Sequence, residues 1–267
     1  MSRNESRTNT QSPIPEQPLT YSPPTTHVPL PSRGKLYSHE HPLHGKDTIE
    51  IKQMTTREEE ILTNVSLLQK GLVVDKLIQS VVVDNGVNPE TLLVGDKNAI
   101  LIASRIDGYG KEYEITVACP ACGKQDEKEV DLSQLAHKEI DESINMTERG
   151  TFTVALPRTG YSVELKLLNG KDEKMISETN EKTKKYGLER PIATQYSRMV
   201  VSVNGNQDPS MISSFVSEMP VQDSRAIRKA YKKANPDVDL TFDFQCDHCG
   251  HDQGLEVPIT ANFFWTD

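Results

Sequence analysis

The sequence predicts an α+β fold of two tandem pseudo-repeated units that share one four-cysteine site and follow a disordered N-terminal tail. Three observations carry this. The only four cysteines among 267 residues fall in two C-x-x-C-G knuckles, Cys119-Pro120-Ala121-Cys122-Gly123 and Cys246-Asp247-His248-Cys249-Gly250. The knuckles stand 127 residues apart, and other residues recur at that offset. A polar, proline-rich stretch with almost no apolar periodicity comes first.

A C-x-x-C turn aims two thiolates at one point. The glycine after it supplies the positive φ that turns backbone N–H groups toward the sulfurs. Two such knuckles complete a closed tetrahedral set, so Cys119, Cys122, Cys246 and Cys249 are the expected ligands of one structural zinc. β-rich runs precede both, Tyr113 to Val117 and Leu240 to Phe244. That is the strand, knuckle, strand layout of a zinc ribbon. The alternative is four free thiols or redox pairs. A thioredoxin-like site needs a C-x-x-C that opens a helix after a strand, and neither knuckle does so. Cysteine used as zinc thiolate points to a reducing cytoplasm.

The offset of 127 links Asp96 to Asp223, Ala99 to Ala226, Ile100 to Ile227, Arg105 to Lys232, Val117 to Phe244 and Val130 to Val257. Upstream, Leu30-Pro31-Ser32-Arg33-Gly34 matches Leu156-Pro157-Arg158-Thr159-Gly160 at an offset of 126. Ile49 to Lys52 matches Val163 to Lys166 at 114. Length differences of this kind belong in loops. The chain therefore divides into a tail over 1–29, a first unit over 30–150 and a second over 151–267.

The tail carries Pro13, Pro15, Pro18, Pro23, Pro24 and Pro29, and it cannot bury enough apolar surface to offset its ordering entropy. After Leu30 a short strand is expected over 47–52. Thr56 and Glu59 fit a capping box, and Ile61, Leu62, Val65 and Leu68 line one face of a single helix that runs toward Gly71. A helix over 73–83 follows. The next begins near Asp96 as N-cap and ends at Gly108-Tyr109-Gly110. The knuckle's outgoing strand covers about 127–130.

The second unit repeats this order. Strands are expected over 152–155 and 162–168, and helices over 171–185, 192–203, 209–217 and 223–234. Arg225, Arg228, Lys229, Lys232 and Lys233 make the last helix basic, either as a face for an acidic partner or as a solvated surface.

Charge and motifs narrow the function. The net charge is −9 and the pI about 5.4, against the basic surface that phosphate binding needs. No apolar run reaches the length of a membrane span, and no signal-peptide core follows Met1. Walker A, dinucleotide and G-x-S-x-G signatures do not occur, so no catalytic residue is expected. His27, His39, His41 and His44 form a histidine-rich tract without a carboxylate motif. His248 is expected exposed in its knuckle turn.

The order of these residues resembles a known family. It runs Leu30-Pro31-Ser32-x-Gly34, the Met54 to Leu62 helix start, Lys76-Leu77-Ile78, Leu93-Val94-Gly95-Asp96, Arg105-x-x-Gly108-Tyr109-Gly110, and Tyr113 to Gly123. This is similar to the baseplate hub subunit or hub assembly proteins of T-even-like contractile-tailed phages. The resemblance covers 30 to about 135; the second half follows through the internal repeat. It implies a structural or assembly protein that binds other tail and hub proteins in the host cytoplasm, and in the virion tail if it is retained there. It implies neither enzyme nor membrane protein, and neither nucleic acid nor a small-molecule substrate as ligand. Two readings from other classes are a zinc-ribbon nucleic-acid or transcription protein, whose knuckle flanks would need Lys and Arg where Asp and Glu stand, and a zinc-stabilised enzyme. The partner contacts are expected at the two ends: the proline-rich tail, and Phe263, Phe264 and Trp265 as an exposed aromatic patch.

Overall fold

The computed structural model describes residues 21–147, 149–187, 190–259 and 261–264. The first half opens with an antiparallel pair, β1 (Thr25–Pro29) and β2 (Thr48–Lys52). The Leu30 to Gly34 turn leaves β1, and Gly34 adopts φ 67° where a Cβ would meet the Leu43 carbonyl at 2.4 Å. Helices α1 (Thr56–Leu62), α2 (Val65–Gln69), α3 (Val73–Val81) and α4 (Val94–Tyr109) follow. The hairpin of β3 (Glu112–Ala118) and β4 (Gln125–Asp131) carries the first knuckle, and the short β5 (His137–Lys138) comes after it.

The second half also runs from a strand pair through helices to a knuckle hairpin, but it has a strand among the helices and its short strand comes before the hairpin. Strands β6 (Thr151–Ala155) and β7 (Ser162–Lys166) pair around the Leu156 to Gly160 turn. Then come α5 (Gly170–Lys184), α6 (Pro191–Met199), β8 (Val200–Val203), α7 (Pro209–Glu218) and α8 (Val221–Ala234). β9 (Asp237–Val238) leads to the hairpin of β10 (Thr241–Gln245) and β11 (Asp252–Glu256), which holds the second knuckle. A 3-10 turn over Ala261–Phe264 ends the described chain.

One contiguous apolar core runs through both halves, with residues such as Leu77, Ile78, Ile100, Val163, Leu165 and Ile227 fully buried. The halves interlock through exchanged segments. β5, which follows the first hairpin, pairs with β9 of the second half. The segment after β11 crosses the other way, where the Tyr113 hydroxyl donates to the Pro258 carbonyl. α4 lies close against the chain at Pro236: a Cβ on Gly95 would stand 2.0 Å from the Pro236 carbonyl oxygen, so only glycine fits there.

Several expectations change. The disordered stretch expected over 1–29 gives way to β1, because Val28 buries in the core opposite Ile49 while its neighbours stay exposed. Residues 1–20 of that tail lie outside the described residues. The single helix expected after Thr56 breaks into α1 and α2. Asn64 caps α2 by accepting from the Leu67 N–H, and Thr63 donates back to the Glu59 carbonyl, so both side chains compete with a continuous helix. Val65 is 64% exposed as a result. The capping box shifts by one residue, to Thr55 and Glu58, the register that buries Glu58 against Ser80. The helix expected over 192–203 turns into strand at Val200, where β-branched residues pair with β7.

Candidate metal centre

Each knuckle is built by the same local bonds. Cys119 N–H donates to the Lys124 carbonyl and Gly123 N–H to the Cys119 carbonyl, both at 2.8 Å. In the second knuckle Cys246 N–H donates to the His251 carbonyl and Gly250 N–H to the Cys246 carbonyl, both at 2.9 Å. Gly123 and Gly250 take φ 72° and 70°, the left-handed conformation that closes each turn.

The two hairpins bring these turns together. All four sulfurs lie within 4.8 Å of one another. Cys119 Sγ stands 3.8 Å from Cys249 Sγ, and Cys122 Sγ 3.7 Å from Cys246 Sγ. A tetrahedral thiolate site with metal–sulfur bonds of about 2.3 Å has sulfur–sulfur edges of about 3.8 Å, so the set has the size such an ion needs. Cys119 and Cys246 are buried around Phe244, while Cys122 and Cys249 face solvent. The thiols differ in proton affinity. Burial alone would raise Cys119, but the N–H groups of Cys122 and Ala121 and the neighbouring thiols bring it down to about 6. Burial dominates at Cys246 and pushes it up to about 12. Four thiolates this close repel one another, and a cation is the chemical means of holding all four charged.

Asp126 braces the centre from below. Its carboxylate accepts from the Asp247 N–H at 3.0 Å and faces His248 Nε2 at 3.2 Å. His248 therefore takes no place in the sulfur cluster. Lys128 pairs with Asp247 at 2.7 Å, a second link between the hairpins. The histidine tract gathers no metal cluster among the described residues. His41 instead stacks on Tyr37 at 4.2 Å.

The proposed aromatic patch is not exposed. Phe263 and Phe264 bury against the first half, with Phe263 in edge contact with Tyr113 at 5.1 Å. Arg105 holds this segment: its fully buried guanidinium donates to the carbonyls of Phe263 at 2.9 Å, Gly110 at 2.7 Å and Glu112 at 3.3 Å. Trp265 lies outside the described residues.

Sequence reasoning also missed what Asp96 and Asp223 do. Asp96 was expected as an N-cap. It is the third residue of α4, fully buried, and it accepts from the Ser32 N–H, the Ser32 hydroxyl and the Tyr37 hydroxyl. Asp223 on α8 accepts from the N–H groups of Arg158 and Thr159. Each carboxylate clasps the Leu-Pro-x-x-Gly turn of its own half. The signal was present, since both the turns and the aspartates repeat, but nothing local in the sequence joins residues 64 or 65 positions apart.

No curated protein and no solved structure matches the chain. The family model described as T4 bacteriophage base plate protein matches residues 24–265, a span that takes in both halves and all four cysteines. The chain belongs to the T4 bacteriophage base plate protein family.

Proposed function

We propose that the protein is a structural or assembly component of the hub of a contractile phage baseplate, that it acts by binding other tail proteins, and that it catalyses no reaction. The match to the baseplate family over 24–265 carries this reading. On it the protein is virion-associated, and its assembly takes place in the host cytoplasm. Its partners are hub and tail proteins, with no membrane, nucleic acid or small-molecule substrate involved. Affinity capture of the tagged chain from infected cells, followed by mass spectrometry, tests it. Recovery of hub and tail proteins is the expected result. Normal baseplates from a phage lacking the gene would sink it.

In the same reading Cys119, Cys122, Cys246 and Cys249 hold a structural zinc of ribbon type, which staples the two hairpins. The sulfur–sulfur distances support it. One zinc per chain in a reduced preparation is expected, and elemental analysis measures it.

We also infer that the two halves, 30–150 extended upstream to take in β1, and 151–267, descend from one duplicated unit. Three parallels support this beyond the knuckles. Asp96 and Asp223 clasp equivalent turns. Lys52 pairs with Glu58 at 3.1 Å, and Lys166 with Asp172 at 2.6 Å, both 114 positions on. Ile51 bridges to Val82 just after α3, and Leu165 pairs with Val200 just after α6.

A further inference from the structure

Two oppositely charged surfaces carry side chains that form no ion pair among the described residues, although Glu139 and Asp141 lie near the basic one. On α8, Arg225, Arg228, Lys229 and Lys232 are exposed at i, i+3, i+4 and i+7, a single stripe along the helix. None of them makes an ion pair among the described residues. Their neighbour Lys233 is engaged by Asp141. The stripe borders a groove of about 340 Å³ whose floor includes Tyr196, Met199 and Leu240. Asp239 and Glu256 line the same groove, but no ion pair joins them to the stripe.

The opposite charge lies on the β3–β4 hairpin. Its inner face buries Tyr113, Ile115 and Val130, and its outer face is acidic. Glu114 stands directly across from Glu129, and Glu127 across from Thr116. Like charges placed opposite each other destabilise a strand pair. None of these three glutamates has an ion-pair partner among the described residues. A hairpin that holds such a row, on a protein that also carries an unpaired basic stripe, is matched in charge by the other surface. No ion pair joins the two among the described residues.

We propose that they meet between chains: the acidic outer face of the β3–β4 hairpin of one copy docks on the α8 stripe and groove of the next. The surfaces differ, so the contact is heterologous and repeats head to tail, into a closed ring or an open string. Exposed charge contacts of this kind steer association and are screened by salt.

Sedimentation velocity of the full chain tests this. The wild type is expected to associate at low ionic strength and to return to monomer at about 0.5 M salt, where the screening length falls to a few ångström. Arg228→Gln with Lys232→Gln neutralises the groove-lining part of the basic surface, and Glu114→Gln with Glu129→Gln neutralises the facing pair of the acidic one. Each double variant alone is expected to be monomeric in low salt. Mixed, they keep one intact surface each and are expected to form a 1:1 heterodimer and nothing larger. Circular dichroism and zinc content matching the wild type establish that both variants fold. Folded variants that associate like the wild type, or a mixture that stays monomeric, overturn the proposal. So does a wild type that is monomeric in low salt. If that monomer shifts a DNA duplex or binds poly-glutamate, the stripe serves that ligand and not a second copy.

Discussion

The last helix of each half ends at a corner ahead of its knuckle hairpin, and the two corners are finished differently. In the first half the corner residue is Arg105, fully buried. In the second, 127 positions on, it is Lys232, exposed beside an open groove. The crossing segments account for the contrast. The chain after β11 brings Phe263 and Phe264, whose backbone and rings close over Arg105. Three carbonyls take its protons, and the faces of Tyr109 and Tyr113 lie within 5.7 Å. The chain after β4 brings Ala136 and Lys138 to the second corner. There the Ala136 carbonyl accepts from Asp239 N–H, and Lys138 reaches the Lys232 carbonyl. A small residue and a second cation cannot close that corner. A cation can thus be buried without a carboxylate where carbonyls and ring faces converge, and it stays in water where they do not.

The largest expected effect tests what the halves share. Cys119→Ser and Cys246→Ser should each lose the metal and destabilise the protein by several kcal/mol, on the order of half the free energy of a small zinc module. Melting temperature and zinc content should fall together and to the same extent in both. A variant that keeps its zinc would break the equivalence of the knuckles.

Removing Arg105 separates the corners. Arg105→Ala should cost about 3–5 kcal/mol, because a buried cation site is emptied, the buried Phe263 carbonyl and two part-buried carbonyls lose their donor, and the Phe263 segment loses its anchor. Lys232→Ala should stay within about 0.5 kcal/mol, as an exposed substitution does. Urea unfolding measures both, and similar costs would mean that the two corners do not differ in energy.

The turn clasps give a smaller, graded difference. Asp96→Ala leaves the Ser32 N–H and hydroxyl and the Tyr37 hydroxyl without their acceptor, a cost of about 3 kcal/mol. Asp223→Ala strands two N–H groups and should cost about 2 kcal/mol. The reverse order in chemical denaturation would show that packing, not donor count, sets the strength of the clasp.

Acid provides the mildest probe. Glu58 is buried, which by itself raises its pKa. Bonds from Ser80, from the Thr55 hydroxyl and N–H, and from Lys52 outweigh this and hold the carboxyl at about 2. Its folded pKa lies below the unfolded one. Its contribution is therefore full above about pH 5 and is lost as the pH falls toward 2, on the order of 2 kcal/mol in all. Glu58→Gln should flatten that part of the stability profile, and thermal melts between pH 5 and 2 follow it.

What could be read from the residues was whatever short spacing encodes. The knuckles, their flanking strands and the repeat of Leu30 to Gly34 at Leu156 to Gly160 are local patterns, and the structure has strands and turns at those places. Long-range contacts were hidden. Phe263 looked like an exposed aromatic because its partner, Arg105, lies 158 residues upstream. Asp96 looked like a cap because its donors, on Ser32 and Tyr37, belong to a turn some 60 residues away. Val200 to Val203 looked helical by continuity, and only its pairing with β7 makes it a strand. The break at Asn64 was legible in principle, as an N-capping residue inside an apolar pattern.

The exchanged segments set an order of events on the ribosome. Residue 105 is made long before residue 263, so the first corner waits for its lid while the second half is synthesised. At about 5–20 residues per second, that wait lasts roughly 8–30 s. Cys119 and Cys122 wait almost as long for Cys246 and Cys249. The second corner has no such delay, because Ala136 and Lys138 precede α8 in the chain. The nascent protein therefore finishes its later-made half first and its earlier-made half last. A stalled or truncated product would expose the Arg105 corner and two unpaired thiols to whatever else is in the cell.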